Sequence, residues 1–303
     1  MRGKGFMKRQ EFLDRLREGV LLFDGAIGTQ LQAMGLGVGE SPEGWNLAHP
    51  DRIKKMHRNY IEVGAQVLTT NSFGGSRYKL EKMGLGEQVY QINFQAAALA
   101  KEAASGEAWV AGSIGPTGEF LQPLGDADPE EMREVFRVQA RALLAGGADL
   151  IVVETMSALE EASLAVQAAR GLGGFPVIGS MTFDAVKQGY RTMMGVDIPT
   201  AVKRLLDDGA DVLGSNCGNG IEDFISIVKE MRKVTDKPIL AEANAGVPEL
   251  EGGRTVFRES PEMMASKLPL LLDAGANIVG GCCGTTPEHI RQFGEVIAKR
   301  KMA

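Results

Sequence analysis

The chain has 303 residues, a formal charge of −6 and 44% hydrophobic residues, enough apolar material for a sizeable core. An acidic balance with no basic block excludes nucleic acid as the expected partner, and no apolar run is long enough to cross a bilayer. Residues 1–10 are basic, but Glu11-Phe12-Leu13-Asp14-Arg15 follows where a signal peptide would place its apolar core, so a cytoplasmic protein is expected.

Residues 9–18 read as a short amphipathic helix. The first strand covers 20–23 and runs into Asp24-Gly25-Ala26-Ile27-Gly28-Thr29. A helix starts at Pro50-Asp51 and continues to about residue 63. A phrase then recurs. Gly64-Ala65-Gln66-Val67-Leu68 leads into Thr69-Thr70-Asn71-Ser72, and Gly147-Ala148-Asp149-Leu150-Ile151 into Val152-Val153-Glu154-Thr155. Gly209-Ala210-Asp211-Val212-Leu213 precedes Asn216-Cys217, and Gly275-Ala276-Asn277-Ile278-Val279 precedes Cys282-Cys283. Each is a helix stopped by glycine, a turn, a buried strand and a polar or reactive end. Strands at 109–113, 176–182 and 238–244 complete the set, and helices over 87–104, 129–146, 157–171, 199–208, 221–234, 261–274 and 287–300 alternate with them.

Apolar strands without polar alternation are covered on both faces. Eight of them alternating with helices predict a single (β/α)8 (TIM) barrel with a short N-terminal helix. An open doubly wound sheet is the alternative. No linker divides the chain, so 1–303 reads as one domain, its first strand beginning near 20 and its last helix ending near 300. In such a barrel the chemistry gathers where strands end. The ends here are Asp24, Thr70/Asn71, Ser113, Glu154, Thr182, Cys217, Glu242/Asn244 and Cys282/Cys283.

The three cysteines all stand at strand ends beside glycines, on strands 6 and 8, near neighbours around the ring. A lone cysteine is usually a small buried hydrophobe. A vicinal disulfide between Cys282 and Cys283 would be strained and would strand Cys217. A structural zinc site normally closes with four ligands. Three thiolates with an open fourth position match a catalytic metal site, and sulfur selects a soft metal such as zinc. Few cysteines without a disulfide pattern also agree with a reducing compartment. His49, His57 and His289 fall in predicted helices or at a helix start and read as structural or surface residues. Zinc on three thiolates is a poor activator of water and a good seat for an incoming thiol, which it deprotonates. That chemistry suits alkyl transfer to sulfur.

Seven motifs are similar to those of the zinc-dependent homocysteine S-methyltransferases. They are Asp24-Gly25-Ala26-Ile27-Gly28-Thr29, Thr70-Asn71-Ser72-Phe73-Gly74, Gly115-Pro116-Thr117-Gly118-Glu119, Glu154-Thr155, Asn216-Cys217, Glu242-Ala243-Asn244-Ala245-Gly246, and the run from Gly280-Gly281-Cys282-Cys283-Gly284 to His289. The resemblance spans nearly the whole chain and is greatest to the N-terminal homocysteine-binding module of cobalamin-dependent methionine synthases. It implies a (β/α)8 barrel, zinc on Cys217, Cys282 and Cys283, and methyl transfer to homocysteine giving methionine. It also implies homocysteine contacts at Asp24, Gly25, Ala26, Thr70 and Glu154, with Phe73 beside the substrate. Asn244 is a candidate to lend zinc an oxygen when substrate is absent. Chemically, a carboxylate suits the substrate ammonium, while a glycine turn and a hydroxyl suit its carboxylate.

The sequence departs from the betaine enzymes of this family at Gly74 and Thr155, where they carry aromatic residues. A quaternary ammonium donor wants an aromatic cage; Trp45, Phe120, Phe183 and Tyr190, in predicted loops, are the substitutes available. The chain ends just after the last helix, so the donor is expected to be a methylcorrinoid on a separate protein, or a small molecule such as S-methylmethionine or betaine. A zinc- or thiol-sensing barrel is the non-enzymatic alternative, against which the amino-acid contacts argue. An aldolase or hydrolase would want a strand-end lysine or a histidine-rich metal set.

Overall fold

The apolar runs form eight short parallel strands: β1 (Leu21–Leu22), β2 (Val67–Thr69), β3 (Trp109–Ile114), β4 (Leu150–Met156), β5 (Val177–Met181), β6 (Val212–Asn216), β7 (Ile239–Ala243) and β8 (Ile278–Gly281). The structure, a computed structural model, describes residues 8–252 and 254–302; residues 1–7 of the basic start lie outside them. Eight helices follow the strands in turn: α1 (Pro50–Glu62), α2 (Val89–Ala104), α3 (Pro129–Ala145), α4 (Leu159–Arg170), α5 (Ile198–Asp207), α6 (Ile221–Arg232), α7 (Pro261–Asp273) and α8 (Pro287–Met302). Helix starts obey local chemistry: α3, α5 and α7 each open with proline in the first turn, behind Asp128, Asp197 or Ser260, whose side chain accepts a backbone N–H.

The strands pair in the order β1-β8-β7-β6-β5-β4-β3-β2. A bridge between Phe23 and Val67 joins β1 to β2, supported by Gln66 N–H donating to Leu22 O (2.8 Å) and Asp24 N–H to Val67 O (3.0 Å). The ring is therefore a (β/α)8 barrel, as the strand rhythm predicts. One apolar cluster lies between sheet and helices. A second fills the barrel interior, with Leu21, Phe23, Val67, Ala111, Leu150, Val152, Ile178, Val212, Leu240 and Ile278. The helix Arg9–Arg17 closes the N-terminal end of the ring, placing Phe12 and Leu16 in that same cluster.

Local elements depart from the expectation. The loops after β1 and β2 hold short helices, Ile27–Ala33, Trp45–Ala48 and Arg77–Lys82, and those after β5 and β7 hold hairpins, Asp184–Val186 with Gly189–Arg191 and Glu249–Glu251 with Arg254–Val256. Such pieces are too short to show a period. Trp45 lies in one of the helices, and both Trp45 and Phe183 are buried in the core; apolar burial has taken them out of the supply of loop aromatics. Tyr190 donates its hydroxyl to Asp223 on α6 (2.8 Å), and Phe120 is exposed. His57 is fully buried, and His289 binds Thr286 and the Glu259 carbonyl. No helix among the described residues is long and apolar enough to cross a membrane.

Candidate active site

The ends of β6, β7 and β8 are stitched together by backbone. Cys217 N–H donates to Glu242 O (3.1 Å), Cys282 N–H to Ala243 O (2.8 Å), and Ala245 N–H to Cys283 O (2.9 Å). Cys217 turns away from β6 with φ of 64°, a left-handed conformation that a non-glycine residue holds only when its surroundings insist on it. Gly281 has no room for a side chain: a Cβ would stand 2.3 Å from Thr285 Oγ1. Thr285 in turn donates to Cys282 O (2.7 Å), fixing the turn that carries both sulfurs.

These constraints bring the three Sγ atoms within 4.8 Å of one another, the one such group of metal-capable side chains among the described residues. The Cys217 and Cys283 sulfurs are 4.0 Å apart. Tetrahedral zinc with Zn–S bonds of about 2.3 Å separates its sulfurs by about 3.8 Å, so the cluster fits zinc with little movement. All three cysteines are free, and Cys283 is exposed to the mouth. Hydrogen bonds from Cys282 and Cys283 push Cys217 down to about 3, while the same interactions push those two thiols up, Cys283 to about 12. The group therefore readily supports an anionic sulfur. Asn244 is buried beside Cys217, and its Oδ1 has no hydrogen-bond partner among the described residues. An orphaned amide oxygen on a residue that hydrogen-bonds Cys217 is a further donor suited to a metal ion on the sulfurs.

Next to the sulfurs lie three carboxyl groups, those of Asp24 and Glu242 buried and that of Glu154 on a half-buried residue. Asp24 Oδ2 accepts from Thr69 N–H (2.9 Å), and the Asp24 carbonyl accepts from Gly281 N–H (3.0 Å). Glu154 accepts from Ser113 Oγ (2.5 Å) and Asn216 Nδ2 (3.2 Å). Glu242 faces them; a Cβ on Gly280 would stand 2.9 Å from its Oε1. Burial lifts Asp24 to about 8, with the charge of Glu154 adding to it. Burial also lifts Glu154 to about 7, with Cys217 adding, and Glu242 well above its usual range, with Glu154 and Asp24 adding. No lysine or arginine among the described residues pairs with any of them. Buried carboxyls lacking a cation are ready to accept a ligand that brings one.

The remaining expected residues line the same mouth. Gly25 packs against Tyr60 and Thr285. Ala26 donates its N–H to Thr285 Oγ1 (3.0 Å) and accepts from the Tyr60 hydroxyl (2.9 Å). The Thr70 hydroxyl is buried and committed within the protein: it accepts from Ser113 N–H (2.9 Å) and shares a hydrogen bond with Ser72 (2.6 Å). Phe73 is partly exposed, lies against Gly115 and sits under the Lys79 ammonium, 4.7 Å from the ring centre. Ser113 and Glu242 enter the sequence reading only as strand ends and Asn216 only within a motif, none with a role, and Ser180 does not enter it as a site residue. The signal was parity: Glu242 is two residues beyond inward-facing Leu240, as Glu154 is beyond Val152.

The sequence profile of the homocysteine S-methyltransferase family matches residues 21–297. The methionine synthase of Mycobacterium tuberculosis is 30% identical over 96% of this chain, and that of Mycobacterium leprae 29% over 95%. The chain spans about a quarter of the length of these relatives (26% and 25%). Among solved structures, the metallated homocysteine methyltransferase MmuM from Escherichia coli superimposes with a TM-score of 0.79 at 26% identity, covering 95% of this chain and 99% of that one. The carboxyl transferase domain of Rhizobium etli pyruvate carboxylase shares the fold alone, with a TM-score of 0.55 at 14% identity, covering 96% of this chain and 49% of that one.

Proposed function

The chain belongs to the homocysteine S-methyltransferase family, and within that methyltransferase class we propose that it converts homocysteine to methionine with zinc on Cys217, Cys282 and Cys283, taking the methyl group from a methylcorrinoid on a separate protein. The observation carrying this reading is the juxtaposition of three sulfurs with three buried or half-buried carboxyls that pair with no cation among the described residues. One end of the site suits a thiol and the other an ammonium, the two ends of homocysteine. Residues 1–303 are read as a single homocysteine-binding barrel.

When bound, zinc would lower the proton affinity of a substrate thiol so that its sulfur is presented as a nucleophile near neutral pH. The protein's own residues supply orientation. Glu154 and Asp24 accept the ammonium, which replaces the repulsion among the carboxyls with charge-assisted hydrogen bonds. The substrate carboxylate is offered the Gly25 N–H, in a turn held by Ala26 through its bonds to Thr285 and Tyr60. Thr70 acts through Ser113, holding the donor that Glu154 leans on. Phe73 walls the open side of the site. Asn244 would be the residue that lends an oxygen to a metal held by the three sulfurs when no substrate is bound. The homocysteine sulfur then forms the new S–CH3 bond as the bond from methyl to its carrier breaks, and that electron pair leaves with the carrier.

The donor assignment is supported by the relatives named methionine synthase and by Gly74 and Thr155 standing where a quaternary ammonium donor would want aromatic residues. A second reading is a small-molecule donor such as S-methylmethionine, the other donor class that the resemblance to this family implies. Methionine formation from homocysteine should be measured in parallel with protein-bound methylcobalamin, free methylcobalamin, methyltetrahydrofolate, S-methylmethionine and betaine. Turnover with the corrinoid donors supports the proposal. Turnover confined to S-methylmethionine transfers the assignment to the second reading, and none with any donor removes both.

A further inference from the structure

β4 does not run straight into its loop. Its register against β5 shifts between Val153 and Met156, and Thr155, inside that irregularity, has φ of 58°. A β-branched residue in the left-handed region is held there only by its neighbours. A bulge of this kind re-aims the adjacent side chain, here Glu154.

The neighbour that holds it is Asn216, the last residue of β6 and fully buried. Its Oδ1 accepts from Thr155 N–H (2.8 Å) and Ser180 Oγ (2.8 Å). Its Nδ2 donates to Thr155 Oγ1 (2.6 Å) and Glu154 Oε2 (3.2 Å). The side-chain amide thus uses both donors and both acceptor sites. The orientation of the amide follows from its partners, since a flip would set Oδ1 against the Glu154 carboxylate and the NH2 group against Thr155 N–H. Aspartate or serine could not make this set of four.

We propose that Asn216 is a positioning residue for amino-acid recognition: it pins the Glu154–Thr155 bulge and so aims the Glu154 carboxylate at the substrate ammonium. This rests on the reading of Glu154 as an ammonium acceptor. Because Cys217 follows Asn216 directly, the same clasp sets the spacing between the ammonium end of the site and its sulfur end.

The test compares two thiols on the zinc-loaded full chain, homocysteine and propanethiol, which lacks the amino and carboxylate groups. Asn216→Ala should weaken homocysteine binding by about 10-fold, a typical effect of lost hydrogen bonds to a charged group. Propanethiol binding and zinc content should stay near wild type. Glu154→Gln should also weaken homocysteine binding, and in the double variant the two losses should not multiply, because both act through one carboxylate. If Glu154→Gln leaves homocysteine binding intact, the ammonium reading falls. If Glu154→Gln weakens it but Asn216→Ala does not, or the two losses multiply, the positioning role alone is overturned. Should the alanine variant fail to fold, Asn216→Asp provides the same test. It keeps acceptors for Thr155 N–H and Ser180 while losing the donors to Thr155 Oγ1 and Glu154. A selective loss of homocysteine supports the proposal, and an equal loss of both thiols contradicts it.

Discussion

Inside the barrel, Ala111, Val152, Ile178 and Leu240 belong to one apolar layer. Two residues further along the same four strands stand Ser113, Glu154, Ser180 and Glu242, all buried or partly buried. The side-chain period of a strand keeps both sets facing inward, so the layers share geometry and differ only in chemistry. The lower layer is held by burial and needs no partners. The upper layer must satisfy or neutralise every polar atom it buries. Ser113 serves Glu154 and Ser180 serves Asn216, but among the described residues no cation pairs with the carboxyls themselves, and they shift towards their neutral forms. The contrast separates what holds the ring from what it does: substitutions in one layer should leave the other's property intact.

The largest expected effect is at the sulfurs. Cys217→Ala, Cys282→Ala or Cys283→Ala should each lose most of the zinc and nearly all methyl transfer, with thermal unfolding close to wild type. Metal analysis beside calorimetry measures this, and global unfolding of these variants would erase the contrast by making the metal structural. Leu240→Ala should do the opposite, lowering stability by about 2.7–5.0 kcal/mol through lost burial and a cavity while zinc content per folded chain is kept. Denaturant titration with metal analysis separates the two.

Glu154→Gln should come next. A hydrogen bond to a charged group contributes about 1.5–3 kcal/mol, so homocysteine binding should weaken roughly 10- to 150-fold at about 1.4 kcal/mol per decade, with zinc unchanged. Loss of zinc in this variant would show that the upper layer is not divisible into an ammonium end and a sulfur end.

The smallest effect is that of pH. Asp24 and Glu154 are held at about 8 and about 7, against ordinary values of 3.8 and 4.5. The folded protein therefore binds these protons more tightly than the unfolded chain does. The stability this contributes is complete below about pH 4 and is lost as pH rises through about 7 to 8. Without ligand, the thermal midpoint should be lower at about pH 8.5 than at about pH 6, and homocysteine should narrow the gap by bringing its ammonium to the ionised carboxyls. A ligand-free midpoint that rises over this window in wild type, or falls equally in the Asp24→Asn variant, would contradict the origin assigned to it.

The barrel was legible because the glycine-ended helix and the apolar strand after it recur along the chain, each copy locally complete. The sulfur site was legible because cysteine is rare here and all three stand at strand ends. The Glu154–Thr155 bulge was not, since nothing in a threonine announces positive φ; its cause is Asn216, 61 residues away from Thr155 in sequence. Glu242 was visible as a strand end, but its membership of the carboxyl group depends on ring closure, which sets Asp24 and Gly280 against it. Trp45 and Phe183 misled as loop aromatics because burial is decided by tertiary packing.

The most direct test of the account is X-ray absorption at the zinc edge, with and without homocysteine. Three sulfurs at about 2.3 Å and one lighter atom are expected in the protein alone, and four sulfurs once homocysteine is added. Three sulfurs and a lighter atom under saturating homocysteine would contradict it, because the sulfur end of the site would then not be where the substrate thiol goes.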